Sequence, residues 1–379
     1  MFPRPIFDSD LDAFRDSVRK FFNKEAVPYH AQWEKDGQIS KEVWRKAGEM
    51  GLLCPTAPEE YGGVGADFRY SAVVMEEASA LGLSGVGFSL HSDIIMPYIL
   101  NHGTEKQKQT YIPKLISGEM IGAIAMTEPG AGSDLQGVKT SAIKSGDKYV
   151  LNGSKTFITN GQLCDLVIVV AKTDPKEGAK GTSLFLVEAD TKGFSKGTNL
   201  EKVGMKAQDT SEMFFQDVEI PAENLLGDGE GRGFIQLMQE LPQERLLVGL
   251  TAMAACEAAL QWTIDYVKER KAFGKPIMAF QNTRFKLAEL KADITAGRCF
   301  ADRCLELHLD KKLDVPTAAM LKQWTTDLQC RVMDECVQLH GGYGYMWEYP
   351  IARAWADARV QRIYAGTNEI MKEIVARSL

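Results

Sequence analysis

The pattern of apolar residues changes twice along this chain of 379 residues, and these changes restrict the folds open to it. From residue 8 to about 118, apolar residues recur at helical spacing, beginning with Leu11, Phe14, Val18 and Phe21. Between 121 and 220, short apolar runs alternate with turn residues, which is typical of strands. Long helical stretches then return. The sequence therefore predicts a helical first third, a β middle third and a helical last third.

The same pattern predicts individual elements. The expected strands are 121–126, 148–151, 166–170, 183–187 and 213–220, with breaks at Ser145-Gly146-Asp147, Asn152-Gly153 and Asn160-Gly161. The expected long helices are 234–268, 279–310 and 316–339, followed by a last helix from Thr367. Thr104, with Gln107 three residues on, predicts a further helix start, because each side chain can accept a hydrogen bond from the other residue's backbone. Long helices with short connections indicate an antiparallel bundle.

Composition excludes several classes of protein. The net charge is -7 and the basic residues are spread along the chain, so nucleic acid is not an expected partner. No apolar run approaches the about 18 residues that a membrane helix needs, so no membrane span is expected. Seven cysteines without a Cys-x-x-Cys pair favour reduced thiols. The five histidines lack a second ligand at metal spacing, so no metal site is expected.

A Gly-rich segment at 126–134 (Met-Thr-Glu-Pro-Gly-Ala-Gly-Ser-Asp) directly follows an expected strand. Its small residues let the backbone approach a ligand closely, and its hydroxyls and exposed N–H groups can meet carbonyls or phosphates. A plain Gly-rich connection is the alternative. Further on, Phe157 and Thr159 fall on the same side of a strand and can line a flat ring, although Phe157 equally fits a core position.

A carboxylate interrupts the apolar face of an expected helix. That face carries Leu237, Leu241, Glu244, Val248, Thr251 and Ala255. Burial raises the pKa of a carboxyl above its usual value of about 4.3, and a general base working near neutral pH benefits from that shift. Glu244 is therefore a candidate base, and pairing with Arg245 or another cation is the alternative. Pro242 predicts a kink or a freed carbonyl just before it.

Three other segments have groups that can face a ligand, and two of them suit an anion. The expected helix that ends near His340 runs into glycines, where backbone groups can face a ligand or simply cap the helix. Thr367 can cap the last helix and leave N–H groups for an anion. Arg270 and Gln281 supply a cation and an amide that suit phosphate, with a solvated helix end as the alternative.

Taken together, these motifs resemble in order and spacing those of the acyl-CoA dehydrogenase family of flavoenzymes, over nearly the whole chain. The motifs that carry the resemblance are 126–134, 270–274 (Arg-Lys-Ala-Phe-Gly) and 364–369 (Tyr-Ala-Gly-Thr-Asn-Glu). The resemblance implies an α+β multidomain fold, with an N-terminal α-helical domain (1–119), a middle β-barrel domain (120–226) and a C-terminal four-helix bundle (227–379). It also implies a homotetramer, a dimer of dimers, with FAD between domains and subunits.

The resemblance further implies an activity. Members of the family oxidise a fatty acyl-CoA to the trans-2-enoyl-CoA. A carboxylate removes the α proton while the β hydrogen leaves as hydride to flavin N5, and the electrons pass to electron-transfer flavoprotein. A chain of this kind is expected in the cytoplasm of a bacterium, or in the mitochondrial matrix as a processed form, because residues 1–5 carry no secretory or import signal.

Site residues follow from the resemblance, position by position. Thr127 and Thr159 are expected to hydrogen-bond the flavin ring, and Phe157 to cover its face away from substrate. Arg270 and Gln281 are expected to reach FAD phosphates of a neighbouring subunit. The other expected FAD contacts are Ile124, Ala125, Met126, Gly132, Ser133, Ile158, Gln338, Leu339, His340, Gly341, Gly342, Thr367, Asn368 and Glu369. The expected substrate contacts are Ser133, toward the CoA portion, with Pro242, Gln243, Arg245, Ala365 and Gly366.

The sequence departs from the commonest family pattern at the base. Medium- and short-chain members carry the catalytic glutamate where Ala365 stands here, and alanine cannot accept a proton. In the long-chain and isovaleryl branches the base comes from the helix motif that reads Gln-Glu-Arg-Leu at 243–246. Glu244 is thus the expected base. The backbone N–H of Ala365 is expected to bind the thioester carbonyl together with a ribityl hydroxyl of FAD, which stabilises the charge that develops as the proton leaves.

The segments 241–247 and 344–350 resemble most the long-chain branch, which implies a long apolar tunnel for the acyl chain. An isovaleryl or other branched short-chain acyl-CoA dehydrogenase is the close alternative. An acyl-CoA oxidase, which would reduce oxygen directly, and a non-catalytic relative are further alternatives.

Overall fold

The computed structural model describes residues 3–379, so Met1 and Phe2, which begin the expected first domain and the segment searched for a leader, lie outside the described residues. The first third forms helices, as predicted. They are α1 (Ser9–Glu25), α2 (Val27–Asp36), α3 (Lys41–Glu49), α4 (Phe68–Ala80), α5 (Phe88–Leu90), α6 (Met96–His102) and α7 (Glu105–Ile116), with a π-helical turn (His91–Ile95) between α5 and α6. Their core is aromatic, because Trp44 and Phe22 both pack on Phe88.

The predicted helix start at Thr104 is confirmed. The Thr104 hydroxyl accepts a hydrogen bond from the Gln107 backbone N–H at 3.3 Å, and the Gln107 side-chain oxygen accepts one from the Thr104 N–H at 2.9 Å. This reciprocal pair satisfies N–H groups that the first turn of a helix leaves free. Asp8 caps α1 in a similar way through the N–H groups of Asp10 and Leu11.

The middle third is one curled sheet. Its strands are β1 (Gly122–Ala125), β2 (Ser141–Ser145), β3 (Lys148–Thr159), β4 (Leu166–Lys172), β5 (Thr182–Glu188), β6 (Phe194–Asn199) and β7 (Thr210–Pro221). The order is β1-β4-β2-β3-β7-β6, with β5 pairing beside β4. β1 and β4 run parallel, with Gly122 opposite Leu166. β4 is buried along its whole length, as expected of a strand covered on both faces.

The predicted break at Asn152-Gly153 is wrong, because β3 continues through it. The pairing of β3 with β7 shifts register between Leu151 and Gly153, and Asn152 donates to Asp217 across the shift at 3.0 Å. A β-bulge therefore accommodates the turn-forming pair without ending the strand. Glycine is required at this point, since a Cβ on Gly153 would lie 2.4 Å from the hydroxyl of Thr140.

The last third is helical and close to prediction. It contains α8 (Gly233–Glu269), a small hairpin of β8 (Lys271–Ala272) and β9 (Lys275–Pro276), then α9 (Gln281–Leu309), α10 (Val315–His340), α11 (Pro350–Ala358) and α12 (Asn368–Ala376). The helices α8, α9 and α10 pack together, and α4 packs on α8 from the N-terminal side. Gly249 lets α8 and α10 approach closely, because a Cβ there would lie 2.6 Å from Leu321. Pro242 lies within α8, which continues through it.

Short 3-10 turns link these elements. They are Glu59–Tyr61, Leu135–Gly137, Gly178–Gly181, Ala222–Asn224, Ile277–Ala279, Gly341–Tyr345 and Arg359–Arg362. The expectation that no apolar stretch is long enough to cross a membrane needs correction. By length and composition α8 is such a stretch, because it contains a sufficiently apolar window of 18 residues. In that window 61% is buried inside the fold, where α4, α9 and α10 cover it, and this packing accounts for its apolar character. Across residues 3–379, no group of three or more His, Cys, Asp or Glu is arranged to hold a metal.

Candidate active site

Glu244 lies in α8 with its side chain turned toward α6. It is 6% exposed, and its Oε1 accepts a hydrogen bond of 2.9 Å from the hydroxyl of Tyr98. Burial raises the pKa of Glu244 to about 7; the bond from Tyr98 and the charge of Arg245 oppose the rise, and the nearby carboxylate of Glu240 adds to it. The carboxyl is thus held by a phenol, and its pKa lies near neutral pH.

Glu240 lies one helical turn before Glu244 and is also buried. Its Oε1 accepts hydrogen bonds from Asn101 Nδ2 at 3.0 Å and from His102 Nε2 at 2.9 Å. All three donors to the two carboxylates come from the short helix α6. We call Tyr98, Asn101, His102, Glu240 and Glu244 the α6–α8 seam.

The π-helical turn before α6 joins the helix of Glu244 to the sheet. Gln243 donates through Nε2 to the Asp93 carbonyl at 2.7 Å. His91 accepts the Gly122 N–H at Nδ1 at 3.0 Å, so its Nε2 carries the proton that is donated to the Leu115 carbonyl. Gly122 begins β1, which leads into the Gly-rich segment 126–134. π-helical turns occur frequently at functional sites, and this one connects two parts of the predicted site.

A buried ion pair fixes the Gly-rich segment to β3. Lys155, which is fully buried, donates through Nζ to the Met126 carbonyl at 3.0 Å and to Glu128 Oε1 at 2.8 Å. The Thr156 N–H donates to the Thr127 carbonyl at 2.9 Å. Burial lowers the pKa of Lys155 to about 8, while Glu128 favours its charged form. The first residues of the segment are therefore held rigidly against the strand that carries Phe157 and Thr159.

Phe157 departs from the regular strand that the sequence predicts. It has a φ of +60° at a register shift between Lys155 and Ile158, so the strict alternation of sides is lost there. Its ring is 67% exposed, whereas Thr159 is half-buried and Ile158 is buried. A large exposed ring beside the fixed loop provides a surface on which a flat ligand can stack.

The turn that contains Ala365 has an unusual backbone. Ala365 and Gly366 have φ values of +53° and +87°, a conformation that costs a non-glycine residue free energy and persists only when the surroundings hold it. Lys322 on α10 supplies that support, since its buried Nζ donates to the Gly366 carbonyl at 2.8 Å and to Asn368 Oδ1 at 2.9 Å. Thr367 caps α12 by accepting the Ile370 N–H.

The side chain of Asn368 is used inside the protein. Its Nδ2 lies within hydrogen-bond distance of Thr326 Oγ1, Asp327 Oδ1 and the Gln323 carbonyl, and its Oδ1 accepts from Lys322. A ligand contact at this position is therefore left to the backbone.

Arg245 is a buried cation that lacks a partner for part of its guanidinium. It is 4% exposed, and within residues 3–379 its Nε has no hydrogen-bond partner. Together with burial, its charge lowers the pKa of Lys322 to about 8, so the two cations are within electrostatic reach of each other. Buried polar groups are almost always hydrogen-bonded. A buried guanidinium with an unpartnered Nε, next to Glu244 in the chain, fits a site that receives a ligand oxygen.

The hairpin β8–β9 is the most exposed part of the predicted site. Arg270 stands over the ring of Tyr343 at 5.3 Å, which ties the hairpin to the turn after α10. Phe273 at the tip is 95% exposed. His340 is buried, stacked on Tyr266 at 4.2 Å, while Gly341 beyond it is exposed with a φ of +61°.

The other predicted residues occupy these same elements. Ile124 and Ala125 lie in β1; Gly132, Ser133, Gln281, Gln338, Gly342 and Glu369 are exposed; and Leu339 is half-buried on α10. No hydrogen bond or ion pair of the described residues ties Arg270 or Gln281 to the α6–α8 seam.

Sequence reasoning missed several residues of this site. Glu240 lies on the same helical face as Glu244, four residues earlier, so the argument that singled out Glu244 could have found it. Lys322 follows the apolar run 318–321, where a lysine is unusual. No sequence pattern points to Tyr98, because its hydrogen-bond partner Glu244 lies 146 residues away along the chain.

Known proteins resemble this chain along nearly its whole length. Three family descriptions match in chain order: "Acyl-CoA dehydrogenase, N-terminal domain" at 8–119, "middle domain" at 123–218 and "C-terminal domain" at 231–379. Long-chain specific acyl-CoA dehydrogenase, mitochondrial, of Mus musculus is 58% identical over 378 residues, or 99% of this chain and 88% of that protein. Isovaleryl-CoA dehydrogenase, mitochondrial, of Oryza sativa subsp. japonica is 37% identical over 99% of this chain and 92% of that protein.

Solved structures show the same likeness. An acyl-CoA dehydrogenase from Geobacillus kaustophilus superimposes with a TM-score of 0.97 and 52% identity, covering 99% of each chain. An acyl-CoA dehydrogenase from Bacillus anthracis complexed with FAD has a TM-score of 0.93 and 33% identity, covering 100% of this chain and 69% of that chain. The predicted fold class is confirmed: a helical N-terminal domain, a curled middle sheet and a helical C-terminal domain.

Proposed function

The chain belongs to the acyl-CoA dehydrogenase family, and from that premise we propose that Glu244 is the base that removes the α proton of a fatty acyl-CoA. As a family member, the protein is a flavin-dependent oxidoreductase with FAD as its cofactor. The observation that carries the proposal is the environment of Glu244, a buried carboxyl whose pKa is raised to about 7. A base with a pKa near the working pH is ionised in about half of the molecules and still binds a proton well.

The proton is proposed to go to the oxygen of Glu244 that Tyr98 leaves free. Tyr98 occupies Oε1, so Oε2 is the oxygen that remains for the substrate. As the α proton leaves, negative charge develops on the thioester oxygen. We propose that the N–H of Ala365 binds that oxygen, and that Lys322 keeps the turn in its left-handed conformation. The nearby cations Arg245 and Lys322 favour the same negative charge.

FAD, when bound, supplies the acceptor for the hydride that leaves the β carbon of the acyl chain. The residues proposed to hold it follow the family motifs and the fixed elements around them. Thr127 is held by β3, and the exposed ring of Phe157 can cover one face of a flat ring. Arg270 and Gln281 are proposed to reach the FAD phosphates of another subunit, and the almost fully exposed Phe273 between them suits a contact with a second copy.

Several finer points are proposals by resemblance. They are a homotetramer built as a dimer of dimers, electron-transfer flavoprotein as electron acceptor, and domain limits of 1–119, 120–226 and 227–379. Mitochondrial and bacterial proteins both occur among the relatives, and a bacterial cytoplasm or the mitochondrial matrix is the proposed location.

A long-chain acyl group is the proposed substrate. The identity to the Mus musculus long-chain enzyme, 58%, is well above the 37% to the Oryza sativa isovaleryl-CoA dehydrogenase. The test is an anaerobic titration of the FAD-loaded protein with palmitoyl-CoA and, separately, with isovaleryl-CoA. The visible absorption of the flavin is recorded during each titration.

Bleaching by palmitoyl-CoA alone is the expected result. Bleaching by isovaleryl-CoA alone would move the chain to the branched-chain group. A bound flavin that neither substrate bleaches would contradict the proposed dehydrogenation. The same reaction in air tests the oxidase alternative, since rapid peroxide formation without electron-transfer flavoprotein would support it.

A further inference from the structure

The α6–α8 seam contains more polar groups than a single base requires. Tyr98, Asn101 and His102 stand three and four residues apart on α6, so all three face α8. On α8, Glu240 and Glu244 are one turn apart and face α6 in turn. One bond of 2.9 Å reaches Glu244, and two bonds of 3.0 Å and 2.9 Å reach Glu240.

Two buried carboxylates one turn apart repel each other, and like charges at this spacing destabilise a helix. Glu240 is 7% exposed, so little water screens its charge from Glu244. Asn101 and His102 hold Glu240 in place, because both donate hydrogen bonds to one of its oxygens. The seam thus keeps a second negative charge beside the proposed base.

Tyr98 restricts the orientation of the proposed base. A carboxylate with no fixed partner can rotate about its last bond and present either oxygen. The phenol of Tyr98 is itself fully buried and binds only Oε1. It therefore fixes which oxygen is free.

We infer that Tyr98 and Glu240 are positioning residues for the proposed base, Tyr98 by fixing the orientation of the Glu244 carboxylate and Glu240 by holding a negative charge one turn away. The inference rests on the proposed function, since it assigns partners to the residue that takes the proton. The two residues act in opposite directions. The bond from Tyr98 favours the ionised form of Glu244, and the charge of Glu240 disfavours it.

Other charged groups near the seam must be considered in any pH experiment. Arg245 follows Glu244 on α8 and favours its ionised form. Lys322 on α10 is within electrostatic reach of Arg245, and His308 on α9 is within electrostatic reach of Glu240. Asp93 on the π-helical turn is buried, with one oxygen unpartnered and its pKa raised to about 7 by burial. These groups are present in every variant below, so the differences between variants report the effects of the two substitutions.

The test measures the rate of flavin reduction by palmitoyl-CoA in anaerobic stopped flow, across pH 5 to 9, with the FAD-loaded protein. The variants are Tyr98→Phe, which keeps the ring and removes the hydroxyl, and Glu240→Gln, which keeps the shape and removes the charge. A second tyrosine–glutamate bond, Tyr111 to Glu188 at 3.1 Å, lies outside the seam and provides matched controls, Tyr111→Phe and Glu188→Gln.

In Tyr98→Phe the fall in rate at acid pH should move to higher pH by about one unit, because a hydrogen bond to the ionised carboxyl is lost. In Glu240→Gln it should move to lower pH by up to about one unit, because a like charge is lost. Both controls should follow the wild-type profile. A purely structural role for Tyr98 or Glu240 would lower the rate at all pH values without moving the profile.

An unmoved profile in Tyr98→Phe, with a wild type that reduces its flavin, would overturn the inference and leave the proposed function intact. Shifts in the same direction for both variants would overturn it as well. Failure of the wild type to reduce its flavin would overturn the proposed function, and the inference with it. Tyr98→Phe changes one atom, so it carries the test alone if Glu240→Gln does not fold.

Discussion

Glu76 on α4 and Glu244 on α8 are both buried, and the helices that carry them pack against each other. Glu76 is bonded by three guanidinium groups: Arg4 at 2.8 Å, Arg15 at 3.0 Å and Arg298 at 2.7 Å. Glu244 is bonded by one phenol, and another carboxylate lies one turn away. Burial opposes ionisation in both places, yet the pKa of Glu76 is held at about 2 by its cations, while that of Glu244 rises to about 7.

The difference lies in the partners rather than in the depth of burial. Around Glu76 the cations also bind other carboxylates, Arg4 with Asp302, Arg15 with Glu77 and Arg298 with Glu257. Arg19 also binds Glu77, so four arginines balance the four carboxylates of this network. A carboxyl in such a network cannot take a proton near neutral pH. The α6–α8 seam lacks this balance, and there a carboxyl can exchange a proton. Of the two, Glu76 suits a structural role and Glu244 suits a chemical one.

The largest effect is expected from removing the carboxyl of the seam. Glu244→Gln should keep bound FAD and a visible flavin spectrum, but flavin reduction by palmitoyl-CoA should slow by about 10³-fold, since an amide cannot take the α proton. Anaerobic stopped flow measures this rate. Glu244→Asp keeps a carboxylate on a shorter side chain, so its rate of flavin reduction should lie between those of the wild type and Glu244→Gln. A Gln variant that reduces its flavin at the wild-type rate would place the base elsewhere.

A comparable change at the other glutamate should affect stability instead. Glu76→Gln should lower the free energy of unfolding by about 3 to 5 kcal/mol at pH 7, because buried arginines lose their anionic partner. Urea unfolding measures this loss. The control is Glu223→Gln, which removes one partner of the exposed ion pair with Lys106. That substitution is expected to lower the free energy of unfolding by less than about 1 kcal/mol.

The pH dependence of that loss gives a second check. The pKa of Glu76 is about 2 in the folded chain and lower than in the unfolded chain, so its contribution is present above the unfolded pKa and is lost as the pH falls toward 2. The difference in the free energy of unfolding between wild type and Glu76→Gln should therefore become smaller below about pH 4.5. A loss that is constant over this range would contradict the ion-pair explanation.

The smallest expected effect is a gain in stability at the seam. The pKa of Glu244 is about 7 in the folded chain, which is higher than in the unfolded chain. The contribution of Glu244 to the free energy of unfolding is therefore complete below the unfolded pKa and is lost as the pH rises through 7. Glutamine does not ionise. Relative to wild type, Glu244→Gln should therefore gain up to about 3 kcal/mol between pH 5 and pH 8. Urea unfolding at the two pH values measures the gain, and a difference in stability between variant and wild type that stays the same from pH 5 to pH 8 would contradict the raised pKa of Glu244.

Much of the fold was predictable from periodicity, because long helices repeat their apolar face many times. The helix expected at 234–268 is α8 at Gly233–Glu269, and the capping pair Thr104 and Gln107 marked α7. The failures are local. Asn152-Gly153 has the composition of a turn, but its neighbours Thr140 and Asp217, distant in sequence, make it a bulge within β3.

The site was predictable only in part. The position of Glu244 on an apolar helical face indicated a buried carboxyl, and the structure buries it. Its partner Tyr98 could not be found this way, since periodicity relates residues within one element and Tyr98 belongs to another. The positive φ of Phe157 likewise depends on pairing with β7, which spacing along the chain does not encode.

The π-helical turn at His91–Ile95 has a consequence for length tolerance. Within three residues this turn contacts the sheet through His91 and α8, the helix that carries Glu244, through Asp93. A π-helical turn holds one residue more than an α-helical turn, and each helical residue advances the chain by about 1.5 Å. Deleting one residue here is expected to move Glu244, the proposed base, and the Gly-rich segment 126–134 relative to each other by about 1.5 Å, which is enough to misalign a proton transfer. The turn is therefore expected to be more sensitive to an insertion or deletion than to a substitution that keeps the His91 ring and the Asp93 carbonyl in place.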